Sequence, residues 1–278
     1  VTVLAAGAAT PAPWVNVIAN DGFGFQVSAT GSGCTWAENS RENRLTPWSN
    51  DPVTDASGEA IYIRDEETGQ VWSPTPSPVR ATSTYVIRHG FGYTVFETRH
   101  AGIASELWVF VAIDAPVKFS VLKLRSLSTR PRRLSTTAYV EWVLGDQREK
   151  SAIHVMSEVD PRTGAFFAHN AYNAGFGDRV AFLDVDDETR SVTGDRKEFL
   201  GRNGTLHKPA ALRRTRLSGS VGAALDPCGA MQTTFDLVPG QEHEVVFRMG
   251  VSRGAAAASE LVQRFRGGMA ARTALAAV

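Results

Sequence analysis

Apolar and polar residues alternate along much of this chain, and that pattern is what most constrains its fold. From Leu134 to Leu144 one face collects Leu134, Thr136, Ala138, Val140, Trp142 and Leu144, and from Val245 to Val251 it collects Val245, Phe247, Met249 and Val251. Side chains on a strand point to opposite faces in turn, so each run reads as a half-buried strand. Further strands are predicted at Trp14–Ala19, Gly24–Ala29, Ala60–Arg64, Val71–Trp72, Ser83–His89, Tyr93–His100, Ala104–Ile113 and Lys118–Ser126. Four more fall at Ala165–His169, Ala181–Val185, Leu212–Ser218 and Met231–Leu237. Asn20-Asp21-Gly22, Glu67-Thr68-Gly69, His89-Gly90, Ala101-Gly102 and Pro239-Gly240 supply turn chemistry between them. Many short strands at hairpin spacing predict one all-β sandwich domain. Only the C-terminus departs from this: Leu261, Val262, Phe265, Met269 and Ala276 recur at helical spacing, with Ser259 as the expected N-cap and Gly267-Gly268 as a weak point.

Bulk properties narrow the function classes. With 278 residues, 43% hydrophobic and 21% charged, the chain is long enough for one large β domain, and its formal net charge of zero offers nothing to attract nucleic acid. Two short arginine clusters, Arg130/Arg132/Arg133 and Arg213/Arg214/Arg216, read as solvated turns or strand ends, with an anion site as the alternative. The longest apolar run, Leu107–Ile113, is far shorter than the roughly 18 residues that cross a bilayer. The start at Val1, without methionine or a positive segment, reads as a trimmed end rather than a signal peptide. Cys34 and Cys228 supply neither a disulfide framework nor a metal cage and are expected to be reduced structural thiols of a cytoplasmic chain.

One stretch is too polar and too aromatic for a core. Gly31–Asp51, GSGCTWAENSRENRLTPWSND, holds two tryptophans, three asparagines, two arginines and three acids. A pyranose has an apolar face and a rim of hydroxyls, so a site for it needs a flat aromatic plate, here Trp36 and Trp48. It also needs planar amides, guanidinium groups and carboxylates that donate and accept together, here Asn39, Asn43, Arg44, Asn50 and Asp51. The competing reading is a long polar loop pinned by two half-buried tryptophans. In YIRDEETGQVWSPTP (Tyr62–Pro76), a strand, an acidic turn closed by Gly69 and a second strand leave Glu66 and Glu67 as solvated turn acids. Arg64 and Asp65 are expected to brace the Trp36–Asp51 loop rather than touch sugar.

Other constellations fall short of a site. Asp184, Asp186, Asp187 and Glu188 lack the glycine and closing glutamate of a calcium loop, so no metal is expected and the segment reads as an acidic hairpin turn. Asn203-Gly204-Thr205 fits a glycosylation sequon but is first a turn signal. The histidines have no metal-ligand spacing and no paired nucleophile, and the carboxylate pairs Glu38/Glu42 and Glu141/Asp146 carry no distance information.

The Gly31–Asp51 run and the Tyr62–Pro76 run, together with DRKEFLGRNG (Asp195–Gly204) and DPCGAMQ (Asp226–Gln232), resemble the N-terminal domain of the glycoside hydrolase family 94 phosphorylases, formerly glycosyltransferase family 36. The likeness is greatest to the phosphorylase-like region of bacterial cyclic β-1,2-glucan synthases, and it covers nearly the whole chain. It implies an antiparallel β-supersandwich of the galactose mutarotase type over residues 1–253. Residues 254–278 would then begin a helical linker to an (α/α)6 barrel that carries the general acid. On that reading the chain is a fragment with no catalytic residue and no cofactor of its own, whose parent uses inorganic phosphate as co-substrate. Its partners are a β-linked glucan, the barrel of the same polypeptide and a second copy in a homodimer. Its work is to shape the acceptor side of the cleft. Without the barrel, Leu261, Phe265 and Leu275 are expected to lack a partner surface. A free-standing carbohydrate-binding module and a mutarotase-like epimerase are the alternatives, although no histidine–carboxylate pair in the sequence marks the latter.

Overall fold

The computed structural model describes residues 1–278. The first strands are β1 Thr2–Leu4, β2 Val15–Ala19, β3 Phe23–Ser28, β4 Gly33–Ala37, β5 Glu59–Asp65 and β6 Val71–Trp72. Next come β7 Tyr85–His89, β8 Tyr93–His100, β9 Ile103–Val111, β10 Val117–Ser126 and β11 Arg132–Glu141. The short helix α1 Arg148–Ser151 leads to β12 Val155–Val159, β13 Phe166–Asn170, β14 Arg179–Val185 and β15 Ser191–Asp195. Helix α2 Arg196–Leu200 precedes β16 Pro227–Leu237 and β17 Glu242–Arg253, and α3 Gly254–Arg264 and α4 Ala270–Ala277 end the chain.

All registered strand pairs are antiparallel. They form a nine-stranded sheet (β1-β7-β8-β9-β10-β17-β14-β13-β12), a five-stranded sheet (β15-β16-β11-β5-β6) and a three-stranded sheet (β2-β3-β4). The main core lies between the large sheet and the two smaller ones. Leu107, Leu122 and Phe247 meet Ile63, Leu134 and Val140 from the five-stranded sheet and Phe23, Phe25 and Val27 from the three-stranded one. The tight wall of β-branched and aromatic side chains is what the alternating pattern demands.

Both larger sheets are also apolar on part of their outer face, and each is covered there. Phe199 of α2 stacks on Tyr139 at 4.6 Å, and Leu212 and Leu217 complete that cover over the five-stranded sheet. The segment predicted as a strand at Leu212–Ser218 is instead a 3-10 turn followed by irregular chain. Its leucines are spent on covering Tyr62 and Tyr139 rather than on pairing. On the large sheet, Ala258, Val262, Phe265 and Ala271 pack on Phe110, Phe119, Phe167 and Phe182. The partner surface that the helical stripe was expected to lack is therefore supplied by this chain's own sheet.

Helix α3 starts directly from β17 at Gly254, whose φ of 76° turns the chain in a way a side chain would oppose. Ser259 is thus inside the helix rather than its N-cap, and its buried hydroxyl donates to Asp160 at 2.8 Å. The Gly267-Gly268 pair does separate α3 from α4. Asp184 is no turn acid. It sits on β14, 0% exposed, accepting from Arg248 and from Arg266, which also donates to the Thr163 carbonyl at 2.7 Å. The Leu134–Leu144 run leaves the sheet after Glu141 because Val143 and Gly145 turn to bond the backbone of Leu45 and Arg44. That detour positions the candidate site.

Candidate functional site

The run read as a polar loop contains a strand, β4, and its neighbours form the outer face of the three-stranded sheet. Gly24 pairs with Trp36, and Gln26 with Cys34. A Cβ at Gly24 would lie 2.7 Å from the Trp36 indole, so glycine is what lets that ring lie flat on the sheet. Arg44 bridges to Trp36 on one side and to Gly145 on the other, and its guanidinium stands 5.6 Å from the centre of the Trp48 ring. Trp48 is 46% exposed, and with Asn50, Asp51, Gln26, Ser28 and Asp55 it lines a surface cavity of about 290 Å³. Val15 and Val17, opposite Ser28 and Gln26, extend the exposed apolar face beside it.

The predicted residues therefore divide. Trp36, Arg44, Trp48, Asn50 and Asp51 come to one face. Asn43 does not join them: it is buried and its amide donates to the Ala37 carbonyl at 3.0 Å, holding the loop closed. Asn39 closes a turn by accepting from the Arg41 and Glu42 amides at 2.9 Å. Asp51 accepts from the Thr54 hydroxyl at 2.7 Å and from the Val53 amide, which holds its carboxyl below the usual range. Each of its oxygens still has a lone pair for a ligand hydroxyl.

Arg64 and Asp65 do not brace this loop. Neighbours on a strand face opposite ways. Asp65 is buried against Arg132 and the amides of Glu67 and Thr68, while Arg64 donates to the Arg214 carbonyl at 2.5 Å. Glu66 is not solvated either, since it accepts from Ser135 and lies 3.6 Å from Arg64.

The bracing residue is Glu59, which sequence reasoning missed. One of its oxygens accepts from Thr35 and from Thr46, each at 2.6 Å, tying β4 to the strand-like start of the Trp48 loop. The other pairs at 2.5 Å with Lys118 on β10, whose ammonium also lies 4.2 Å from the centre of the Phe25 ring. Burial alone would raise the Glu59 carboxyl. The Lys118 charge and these hydrogen bonds outweigh it and hold the group below its ordinary value. Asp55 makes a second brace by accepting from Ser28 and Thr30. Glu38, at a φ of 62°, forms a two-pronged ion pair with Arg179 at 2.5 and 2.8 Å and borders a wider cleft of about 730 Å³ toward α3.

The remaining sequence motifs serve this frame. Asp195 caps α2 by accepting from the Lys197 amide at 3.0 Å. Arg196 and Arg148 share Glu141 and Asp226 in a closed ring of two cations and two acids, which clamps the end of β11 to the starts of α2 and β16.

Residues 1–268 match the family described as the glycosyl hydrolase 94 supersandwich domain. The chain is 39% identical over 249 residues to the cyclic beta-(1,2)-glucan synthase NdvB of Rhizobium meliloti (strain 1021), a match covering 89% of this chain and 9% of that protein. It is 28% identical over 258 residues to the N,N'-diacetylchitobiose phosphorylase of Vibrio furnissii, covering 88% of this chain and 31% of that one. The chain thus spans under a third of the length of either relative. A bacterial glucoamylase solved with acarbose superposes with a TM-score of 0.55 at 8% identity, over 93% of this chain and 37% of that one. A GalM/aldose epimerase homologue from C. elegans gives 0.50 at 11% identity, over 87% and 100%. At such identities the likeness concerns the fold alone: an antiparallel sandwich of the galactose mutarotase type with a short helical C-terminus. By its sequence over 268 residues and by this architecture, the chain belongs to the glycosyl hydrolase 94 supersandwich domain family.

Proposed function

We propose that this chain is the active-site-shaping, glucan-contacting domain of a phosphorylase-like enzyme acting on β-linked glucose, of the cyclic β-1,2-glucan synthase kind. The general acid comes from a barrel in the same polypeptide, and this domain holds part of the glucan against that barrel without performing the chemistry. The observation that carries the reading is the half-exposed Trp48 ring, held by Arg44 and flanked by Asn50 and Asp51 in a cavity of about 290 Å³. A ring face beside amide and carboxylate groups suits a pyranose. Family membership and the glucan synthase relative supply the substrate class.

Titrating the purified chain with β-1,2-glucooligosaccharides, read by tryptophan fluorescence, tests this. Saturable binding that Trp48→Ala weakens at least tenfold is expected. A half-exposed ring contributes little to the core, so the same variant should lose under about 1 kcal/mol of stability. No glucose 1-phosphate should appear when inorganic phosphate is added with the oligosaccharide. Binding that ignores Trp48→Ala, or phosphorolysis by the chain alone, would overturn the assignment.

A further inference from the structure

A groove of about 430 Å³ opens on the outer side of the five-stranded sheet, between the β5–β6 hairpin and the segment that follows α2. Arg64, His207, Lys208 and Arg213 line it, and no carboxylate does. In a chain of zero net charge this is a local excess of one sign. Nearby acids are already engaged: Glu198 pairs with Arg214, and Glu66 accepts from Ser135 while lying 3.6 Å from Arg64.

The three cations also have donors to spare. Arg64 spends one terminal nitrogen on the Arg214 carbonyl, and its buried Nε has no partner. Holding the arm by that single bond fixes the guanidinium at the groove wall. His207 is anchored by a 3.0 Å bond in which Nδ1 donates to the Pro78 carbonyl, which sets the tautomer and leaves Nε2 as an acceptor for a ligand hydroxyl. Lys208 and Arg213 are exposed and have no acidic partner. Val71 and Leu212 give the groove an apolar wall.

We propose that this groove binds a phosphoryl dianion, either as inorganic phosphate or as the phosphomonoester of a monosaccharide. Three permanent cations converge where one acid answers them, so two negative charges are needed to balance the site, and a monocarboxylate brings one. Arginine presents a planar fork that matches phosphate oxygens, and lysine adds a mobile point charge. A sugar on the phosphate would lay its apolar face on Val71 and Leu212. The site stands on residues remote in sequence from Trp48, and its test is independent of glucan binding.

Calorimetric titration of the purified chain at constant ionic strength, with inorganic phosphate and glucose 1-phosphate in parallel and glucose as the neutral control, reads the proposal. Fixed ionic strength matters because exposed cations attract any anion at low salt. Saturable binding of either phosphate is expected, with no response to glucose. Lys208→Ala combined with Arg213→Ala should weaken it at least tenfold, while Arg99→Ala, a surface arginine elsewhere, should leave it unchanged. Equal affinity for the two ligands identifies the free anion as the recognised species, and tighter glucose 1-phosphate identifies the sugar ester. Circular dichroism confirms that the doubly substituted chain, altered only at exposed positions, is folded. Absence of saturable binding by both ligands, or binding that the double substitution leaves intact, overturns the proposal.

Discussion

Replacing Lys118 by methionine keeps the length of the side chain and removes its charge, which isolates what the ammonium does. In the native chain Glu59 is held by Lys118 at 2.5 Å and by the Thr35 and Thr46 hydroxyls at 2.6 Å each. Without the cation, a carboxylate stays in the interior with two neutral donors. Removing one partner of a buried pair costs about 3 to 5 kcal/mol, because the other charge is left uncompensated. Glu59→Gln strands the Lys118 ammonium in turn and should cost a comparable amount, about 3 to 5 kcal/mol, although its amide can still accept from both threonines. The double variant has no stranded charge. Its cost should therefore fall below the sum of the single ones by about 2 kcal/mol, the size of coupling expected for residues in one network.

Urea unfolding of the four chains at pH 7 and pH 5 reads both the coupling and its origin. The Glu59 carboxyl titrates below its ordinary value in the native chain, so its stabilisation is complete above the unfolded value near 4.3 and is lost as pH falls through the folded one. Wild type should hence lose little between pH 7 and pH 5. In Lys118→Met the sign reverses: burial then dominates and raises the Glu59 carboxyl. Protonation favours that fold, and the deficit should shrink on going to pH 5. A Lys118→Met penalty under 1 kcal/mol, or additive single effects, would refute the claim that this pair braces the Trp48 loop.

Two further outcomes follow from burial. Phe265 is 6% exposed and meets the Phe119 ring edge-on at 5.4 Å, so Phe265→Ala should cost about 3 to 5 kcal/mol in denaturant unfolding. Hydrogen exchange should find α3 protected in the wild type; rapid exchange along it would contradict the packing described. Burial, with the nearby Glu59 charge, pushes the Cys34 thiol up to about 12, and Cys228 is likewise raised by burial. A thiol-reactive chromogen at pH 8 should then label neither cysteine in the native chain and both after denaturation, and prompt native labelling would disprove it.

The parts of this molecule that were legible in its sequence are those where one physical signal sufficed. The runs within β11 and β17 alternate because one face lies in the main core, and the strands predicted there form, with their ends shifted by a few residues. Helices α2 and α3 cover the other face, so both strands are buried more fully than the half-buried strands expected. Strand β4 escaped notice because its outward positions carry Trp36 and Cys34 among polar neighbours, so composition pointed to a loop. Strands β1, β12 and β15 are short and mix polar with apolar residues, which left too little alternation to read. The helical stripe of α3 was visible while its partner was not. A signal for that partner did exist, since Leu107–Ile113 is apolar at consecutive positions and so is apolar on both faces of its strand. A strand buried on both faces needs a cover, and α3 with α4 provides it.

The site shows the same division more sharply. Composition located the aromatic and amide residues of the Trp36–Asp51 run, because a cluster of that kind is contiguous in sequence. It could not say which of them face out. Asn43 turns inward to the Ala37 carbonyl, and Arg64 and Asp65 point to opposite sides of β5. Nor could it find Glu59 and Lys118, which lie 59 residues apart and meet only because β5 and β10 face each other across the core. A contact between two sheets leaves no local pattern. What joins the two halves of the candidate face is therefore a buried charge pair that no window of sequence displays, and it predicts that this loop and the core below it lose order together when Lys118 is removed.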